Sequence, residues 1–303
     1  MKLYEVTNGA SRTHEISEKE FVNYLFQNCK LSAKQINKYP IFRGVSTKLR
    51  LMVGDTSNGS PRQSKNTANY YTLWIDNSPE WEQFPKRSRS FICSTSLDYA
   101  SDFGDTYLVI PFDDAKIGVC PEHDIWFSFE SKGSFGVESL ENLNDIIDRV
   151  FKIFSELDIE NYGNKRIDQT NFNSLKTFLT TVNIENLQKA KTKLETDGNN
   201  WDSLIKKDLE FGISTALALL KDSKTQNFAD MMDVVLTPKD FKLFSGKTFN
   251  PKITSSYEYG NECFIGGKAL FLPIFFSARG EHEEMKQYLD HQKLTNILEK
   301  FKK

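Results

Sequence analysis

The chain has 303 residues, 39% hydrophobic and 26% charged, which suits a soluble globular protein of one large domain or two ordinary ones. Its net charge of −2 argues against a protein built mainly to grip long nucleic acid through phosphates, while leaving room for a local basic groove. Its longest apolar run, Ala269 to Phe276, is broken by Pro273 and is far too short to span a bilayer, and Met1-Lys2-Leu3-Tyr4-Glu5 lacks the apolar stretch of a secretory signal. A cytoplasmic protein with no membrane partner is the expectation. The four cysteines, Cys29, Cys93, Cys120 and Cys263, lie far apart with no CxxC spacing, so they read as buried free thiols.

Taken in chain order, residues 16–29 have the spacing of an amphipathic helix. Strands are predicted at 39–44 and 48–53. Asp55 to Lys65 is a loop, rich in turn formers at Asp55-Thr56-Ser57-Asn58-Gly59-Ser60-Pro61. Further strands are predicted at 89–94, 106–112, 116–119 and 125–129. None of the nine prolines falls between Pro121 and Pro238, and proline is costly inside helices. Within that tract Leu140, Leu143, Ile147, Val150, Phe151, Phe154 and Leu157 form a helical stripe. So do Leu175, Phe178, Leu179 and Val182, and so do Leu204, Ile205, Leu209, Ile213, Ala216, Leu217 and Leu220. Strands at 252–258, 261–265 and 268–273 and a final helix at 281–301 complete the pattern. The fold class is α+β: a mixed β core in two pieces, residues 1–136 and 237–303, interrupted by a helical insertion at 137–236. From Glu138 to Asp233 there are 17 acidic and 12 basic residues, a net of −5. That charge suits a protein partner or a lid better than nucleic acid, with plain packing support as the default.

Three short segments carry candidate chemistry. Arg43, followed by Gly44, ends a strand, where a guanidinium can grip a pyrophosphate or brace a carboxylate. Ser94-Thr95-Ser96 follows the strand Ser90–Cys93 and precedes a short helix from Leu97 to Gly104, so Ser96 is also a natural helix N-cap. Glu262 opens an apolar strand. Each has a plain structural reading: a surface arginine before a turn, a helix cap, and a solvated strand end.

In this order the three segments resemble the Arg / Ser-Thr-Ser / Glu pattern of the cholera-toxin-like ADP-ribosyltransferases of bacteria and bacteriophages. The resemblance covers about residues 39–130 and 240–275 and lies in motifs. It implies an ADP-ribosyltransferase-like core that uses NAD as co-substrate, with no metal, and transfers ADP-ribose to a macromolecule. Arg43, Gly44, Ser94, Thr95 and Ser96 would then hold NAD, and Arg43 and Ser94 would join Glu262 as catalytic residues, Ser94 holding Arg43 and Glu262 in place. Tyr71 and Phe103 are candidate platforms for the nicotinamide, and their plain reading is core. Glu262 would stabilise the transition state. As nicotinamide leaves, positive charge develops on the ribose as an oxocarbenium ion, and a carboxylate bonded to the ribose 2′-hydroxyl offsets that charge where it forms.

The pattern departs from the family two residues before Glu262. Arginine-modifying members carry Glu there and some others Gln, whereas this chain has Gly260. Glu258 is the candidate substitute, because residues 258, 260 and 262 share a face if the segment is extended. Tyr257 and Tyr259 are further candidates for acceptor contact. Protein is slightly favoured over nucleic acid as acceptor. The many lysines, asparagines and phenylalanines resemble phage or AT-rich bacterial proteins, which suggests a phage effector or bacterial toxin acting in a host cytoplasm. Cys120-Pro121-Glu122-His123-Asp124 carries ligand-type side chains without a second ligand pair, and His282 and His291 fall on opposite helix faces, so no metal is expected. The alternative is a non-catalytic binding or structural phage protein on a degenerate transferase fold.

Overall fold

The computed structural model describes residues 12–46, 50–63, 69–130, 140–157, 159, 170–197, 203–251 and 260–274. The chain divides into two compact units, Met1–Arg62 with Glu82–Ile125 and Lys239–Lys303, and Gln63–Trp81 with Trp126–Pro238.

The first unit is built on nine strands: β1 (Thr13–Glu15), β2 (Phe42–Val45), β3 (Met52–Asp55), β4 (Phe91–Ser94), β5 (Asp105–Pro111), β6 (Lys116–Val119), β7 (Lys242–Ser245), β8 (Glu262–Gly266) and β9 (Lys268–Pro273). They form one sheet in the order β1-β3-β9-β5-β2-β4-β8-β6-β7. Every paired neighbour is antiparallel, where a mixed sheet was expected. The apolar run of β9 lies between β3 and β5, and Ala269, Leu270, Phe271 and Leu272 are all buried. A strand paired on both edges satisfies its whole backbone, so it tolerates a continuous apolar sequence.

Two helices accompany this sheet, α1 (Glu18–Asn28) and α2 (Lys30–Lys38). A capping box starts α1: the Ser17 hydroxyl accepts from the Glu20 amide, and the Glu20 carboxylate accepts from the Ser17 amide at 2.8 Å. Phe21 and Leu25, four apart, are buried. The sequence does not flag α2, whose start is capped from a distance. The Asp113 carboxylate accepts from the Leu31 and Ser32 amides. Phe21, Leu25, Ala33 and Ile36 join Val109, Ile110, Phe271 and Ile265 in a single core. A further helix, α4 (Leu97–Ser101), follows β4.

The second unit is helical: α3 (Tyr70–Asn77), α5 (Phe127–Glu130), α6 (Leu140–Glu156), α7 (Phe172–Thr181), α8 (Ile184–Asp197), α9 (Ser203–Ser223) and α10 (Phe228–Val235). Helix α9 packs on α6, α8 and α10, and α7 packs on α3 and α10. Residues 63–81 belong here, although the sequence reading leaves them in the first core piece. Two indole groups tie them in, with Trp74 Nε1 donating to Asp233 at 2.7 Å and Trp81 Nε1 to the Leu236 carbonyl at 2.6 Å.

The predicted strand at 125–129 is instead the start of α5. Trp126 and Phe129, three apart, are buried while Phe127 is 49% exposed, which is a helical and not an alternating pattern. In α9 the buried face begins at Leu209, and Leu204 and Ile205 are 74% and 40% exposed. Strands β1 and β7 go unflagged by the sequence, and neither has a buried residue to mark an apolar face. The strand expected at 252–258 and the helix at 281–301 lie outside the described residues. Among the described residues no helix is long and apolar enough to cross a membrane.

Candidate functional site

Arg43, Ser94-Thr95-Ser96 and Glu262 come from segments far apart in sequence. Strand pairing brings them together, because β2, β4 and β8 are consecutive in the sheet. Ser94 ends β4 and is the registered partner of Glu262, which opens β8. On its other side Ser94 faces Phe42 of β2.

That register also separates two of the predicted residues. Side chains at paired antiparallel positions share a face, and neighbours along a strand alternate. Phe42, Ser94 and Glu262 therefore share one face. Arg43 falls on the opposite face, in line with Cys93 and Cys263. There its guanidinium donates to the Ile92 carbonyl and sits 6.0 Å from the Phe91 ring. Among the described contacts Arg43 braces β2 against β4. Gly44 has a packing role: a Cβ at this position would overlap the Ala100 carbonyl and press on Phe103, so glycine lets α4 lie close on β2.

The three hydroxyls have local work. Ser94 Oγ accepts from the Ser96 amide at 3.0 Å, closing the turn out of the strand. Ser96 Oγ accepts from the Tyr99 amide at 3.3 Å, the helix cap expected from the sequence. Thr95 pairs with the segment entering β8: its amide donates to the Asn261 carbonyl at 2.9 Å, and its Oγ1 accepts from the Asn261 amide at 2.8 Å.

Gly260, two residues before Glu262, has a structural reason to be glycine. Its φ is +66°, and a Cβ there would sit 2.7 Å from Thr95 Oγ1 and 2.8 Å from the Ser96 nitrogen. Neither Glu nor Gln fits at that position without moving the Ser-Thr-Ser turn. Glu258, Tyr257 and Tyr259 lie outside the described residues.

Glu262 is buried, with 4% of its surface exposed. The loop after β6 wraps it. The Cys120 amide donates to the Glu262 carbonyl, and the Glu262 amide donates to the Glu122 carbonyl, both at 2.9 Å. Asn261 Nδ2 holds the same loop through the Cys120 and Pro121 carbonyls at 3.0 and 2.9 Å. The Ile125 amide donates to Glu262 Oε2 at 3.3 Å. Opposite stands Arg87, equally buried, with Nη1 2.5 Å from Oε1 and Nη2 3.5 Å from Oε2. Burial pushes the Glu262 carboxyl up to about 7, with Arg87 opposing that rise and Asp124 reinforcing it. Burial also holds the Cys120 thiol well above its ordinary value, with Glu262 adding to the effect, so it stays protonated beside Oε1.

Sequence reasoning missed Arg87 and assigned the Cys120–Asp124 loop no part in the site. The loop's backbone and Asp124 surround Glu262. Arg87 lies in Lys86-Arg87-Ser88-Arg89, a basic run that reads as a solvated surface, and no local signal marks its second member as buried. Of the proposed ring platforms, Phe103 lies beside Tyr99 with centroids 5.4 Å apart, against Gly44. Tyr71 is fully buried in the second unit between Tyr70 and Trp126, where it serves the core. Comparisons of the chain with protein-family models, with curated proteins and with solved structures found no match.

Proposed function

We propose that this protein is a mono-ADP-ribosyltransferase that cleaves NAD and transfers ADP-ribose to a macromolecular acceptor. The observation that carries the reading is the convergence of the Arg43, Ser94-Thr95-Ser96 and Glu262 segments on three consecutive strands, with Ser94 and Glu262 paired in register. Glu262 is the catalytic residue. Its carboxylate, held by fixed donors in a site of low polarity, is suited to stabilise an oxocarbenium ion without reorganising. Ser94, Thr95 and Ser96 shape the rim, and Arg43 acts by bracing the strand pair beneath it. Protein is the favoured acceptor and a bacterial cytoplasm the setting, as for a phage effector or toxin.

One observation favours a second reading. The Glu262 carboxylate is already ion-paired with Arg87, and Arg43 lies on the other face. A non-catalytic binding protein with a structural ion pair would have the same features.

The test is transfer of label from NAD carrying a tagged adenylate into a bacterial lysate, wild type beside Glu262→Gln, with folding of both checked by circular dichroism. We expect the folded variant to be slower by about 10²–10³, the scale for losing one preorganised transition-state contact. Protease or nuclease sensitivity of the label then names the acceptor. Folded wild-type protein that neither transfers label nor releases nicotinamide sinks the transferase reading in favour of the binding protein.

A further inference from the structure

A carboxylate that stabilises an oxocarbenium ion must be ionised and must point at the ribose. Several neighbours of Glu262 work against the first requirement. Asp124 places a second carboxylate nearby, and the protonated Cys120 and Cys263 thiols, with the Tyr99 hydroxyl from α4, offer no positive charge. Among the described residues, Arg62 after β3 and Arg87 from the turn before β4 act on it in the opposite sense. Of these, Arg87 is in direct contact. Its side chain is 4% exposed, against 5% for Glu262, and it reaches both carboxylate oxygens. A guanidinium is charged at any working pH and its fork fixes the plane of the carboxylate it meets.

We infer that Arg87 is a positioning residue for Glu262, holding the carboxylate ionised and fixing its orientation, an inference that rests on the transferase reading for its purpose and on geometry for its content. The Ile125 amide completes the arrangement from the other side, on Oε2. Oε1 also accepts from the Cys120 thiol at 3.9 Å, so a ribose hydroxyl would take the place of one of the weaker donors, Cys120 on Oε1 or Arg87 Nη2 on Oε2. Arg87 takes no part in bond making. Without it, burial and Asp124 leave Glu262 a neutral acid at neutral pH, unable to offset positive charge on the sugar.

The experiment reads the protonation of Glu262 directly. Carboxyl groups of isotope-labelled glutamates are followed by infrared spectroscopy from pH 5 to 10, and the Glu262 band is assigned by its loss in Glu262→Gln. Wild type, Arg87→Gln and Arg87→Lys are compared, and the Arg87 guanidinium nitrogens are followed by NMR in the wild type. We expect a wild-type midpoint near 7, as burial opposed by Arg87 implies. In Arg87→Gln the midpoint should rise by about 1–3 pH units, the size of the effect of a close opposite charge. Arg87→Lys should stay near wild type, and the wild-type Arg87 signals should follow the same midpoint as Glu262. If nicotinamide release is present, its loss in Arg87→Gln should recover at higher pH, as no purely structural defect would. A folded Arg87→Gln with an unchanged Glu262 midpoint overturns the inference. If Arg87→Gln does not fold, wild-type Arg87 signals that stay flat while Glu262 titrates overturn it equally. A wild type inactive on NAD, with the coupled titration present, removes the transferase reading and leaves the pairing of Arg87 with Glu262 intact.

Discussion

Gly260 shows how one residue fixes the geometry around Glu262. Its positive φ turns the chain into β8, and its missing side chain lets the backbone lie against Thr95 and Ser96. Gly260→Ala must place a Cβ within 3 Å of Thr95 Oγ1 and hold an L-residue in the left-handed region. The conformational part alone costs about 1–2 kcal/mol, and the overlap adds to it. A lowered urea midpoint at unchanged slope, with loss of amide protection at Thr95 and Asn261, would show it. A variant as stable as wild type would mean that the turn relaxes more easily than its packing suggests. A longer side chain at this position, Glu or Gln included, would meet the same obstruction from Thr95 and Ser96.

At the scale of elements, short strands and helices around the site are tied by side chains more than by their own length. Helix α4 has five residues, too few to persist alone. It is held by the Ser96 cap and by close approach to β2 over Gly44. Ser96→Ala removes an oxygen that satisfies a helix N-terminal amide, and we expect a loss of about 1 kcal/mol in chemical denaturation. The change also separates two uses of the Ser-Thr-Ser turn. If nicotinamide release falls far more than this loss of stability explains, Ser96 does more than cap. Helix α2 shows the opposite arrangement, its cap supplied by Asp113 from the far side of β5. That is why its start is invisible in its own sequence, whereas the capping box of α1 is written in Ser17 and Glu20.

At the scale of the whole molecule, the ionisation of Glu262 couples to folding. Its carboxyl titrates near 4.5 in an unfolded chain and near 7 when buried. The folded state thus binds the extra proton between those values, and stability falls as pH rises through that window, by at most about 1.4 kcal/mol per pH unit. The carboxylates of Glu20, Asp55, Glu80 and Glu185 are held below their ordinary values, so they act in the opposite sense and at lower pH. Urea denaturation at pH 5 and pH 8 should show wild type losing more stability on going to pH 8 than Glu262→Gln does. Equal losses would mean that Glu262 does not titrate in this range. If the protein is a transferase, its rate should rise across the same window, since the ionised form acts.

The sequence by itself determined the apolar strands β4, β5, β6, β8 and β9, the first helix, the helical character of the described stretches from α6 to α10 and the Ser96 cap. Each of these is written in local spacing, in proline placement or in a capping residue, and needs no distant partner to be legible. It also singled out Ser94 and Glu262 as residues of interest. Only the tertiary structure decided that these two are registered partners, that Arg43 lies on the other face of the sheet, and that Arg87 is the arginine facing Glu262. Register depends on which strands pair, and a one-residue shift sends a side chain to the opposite face. Burial of a charge likewise depends on what covers it, so nothing within Lys86-Arg87-Ser88-Arg89 marks Arg87 apart from its basic neighbours.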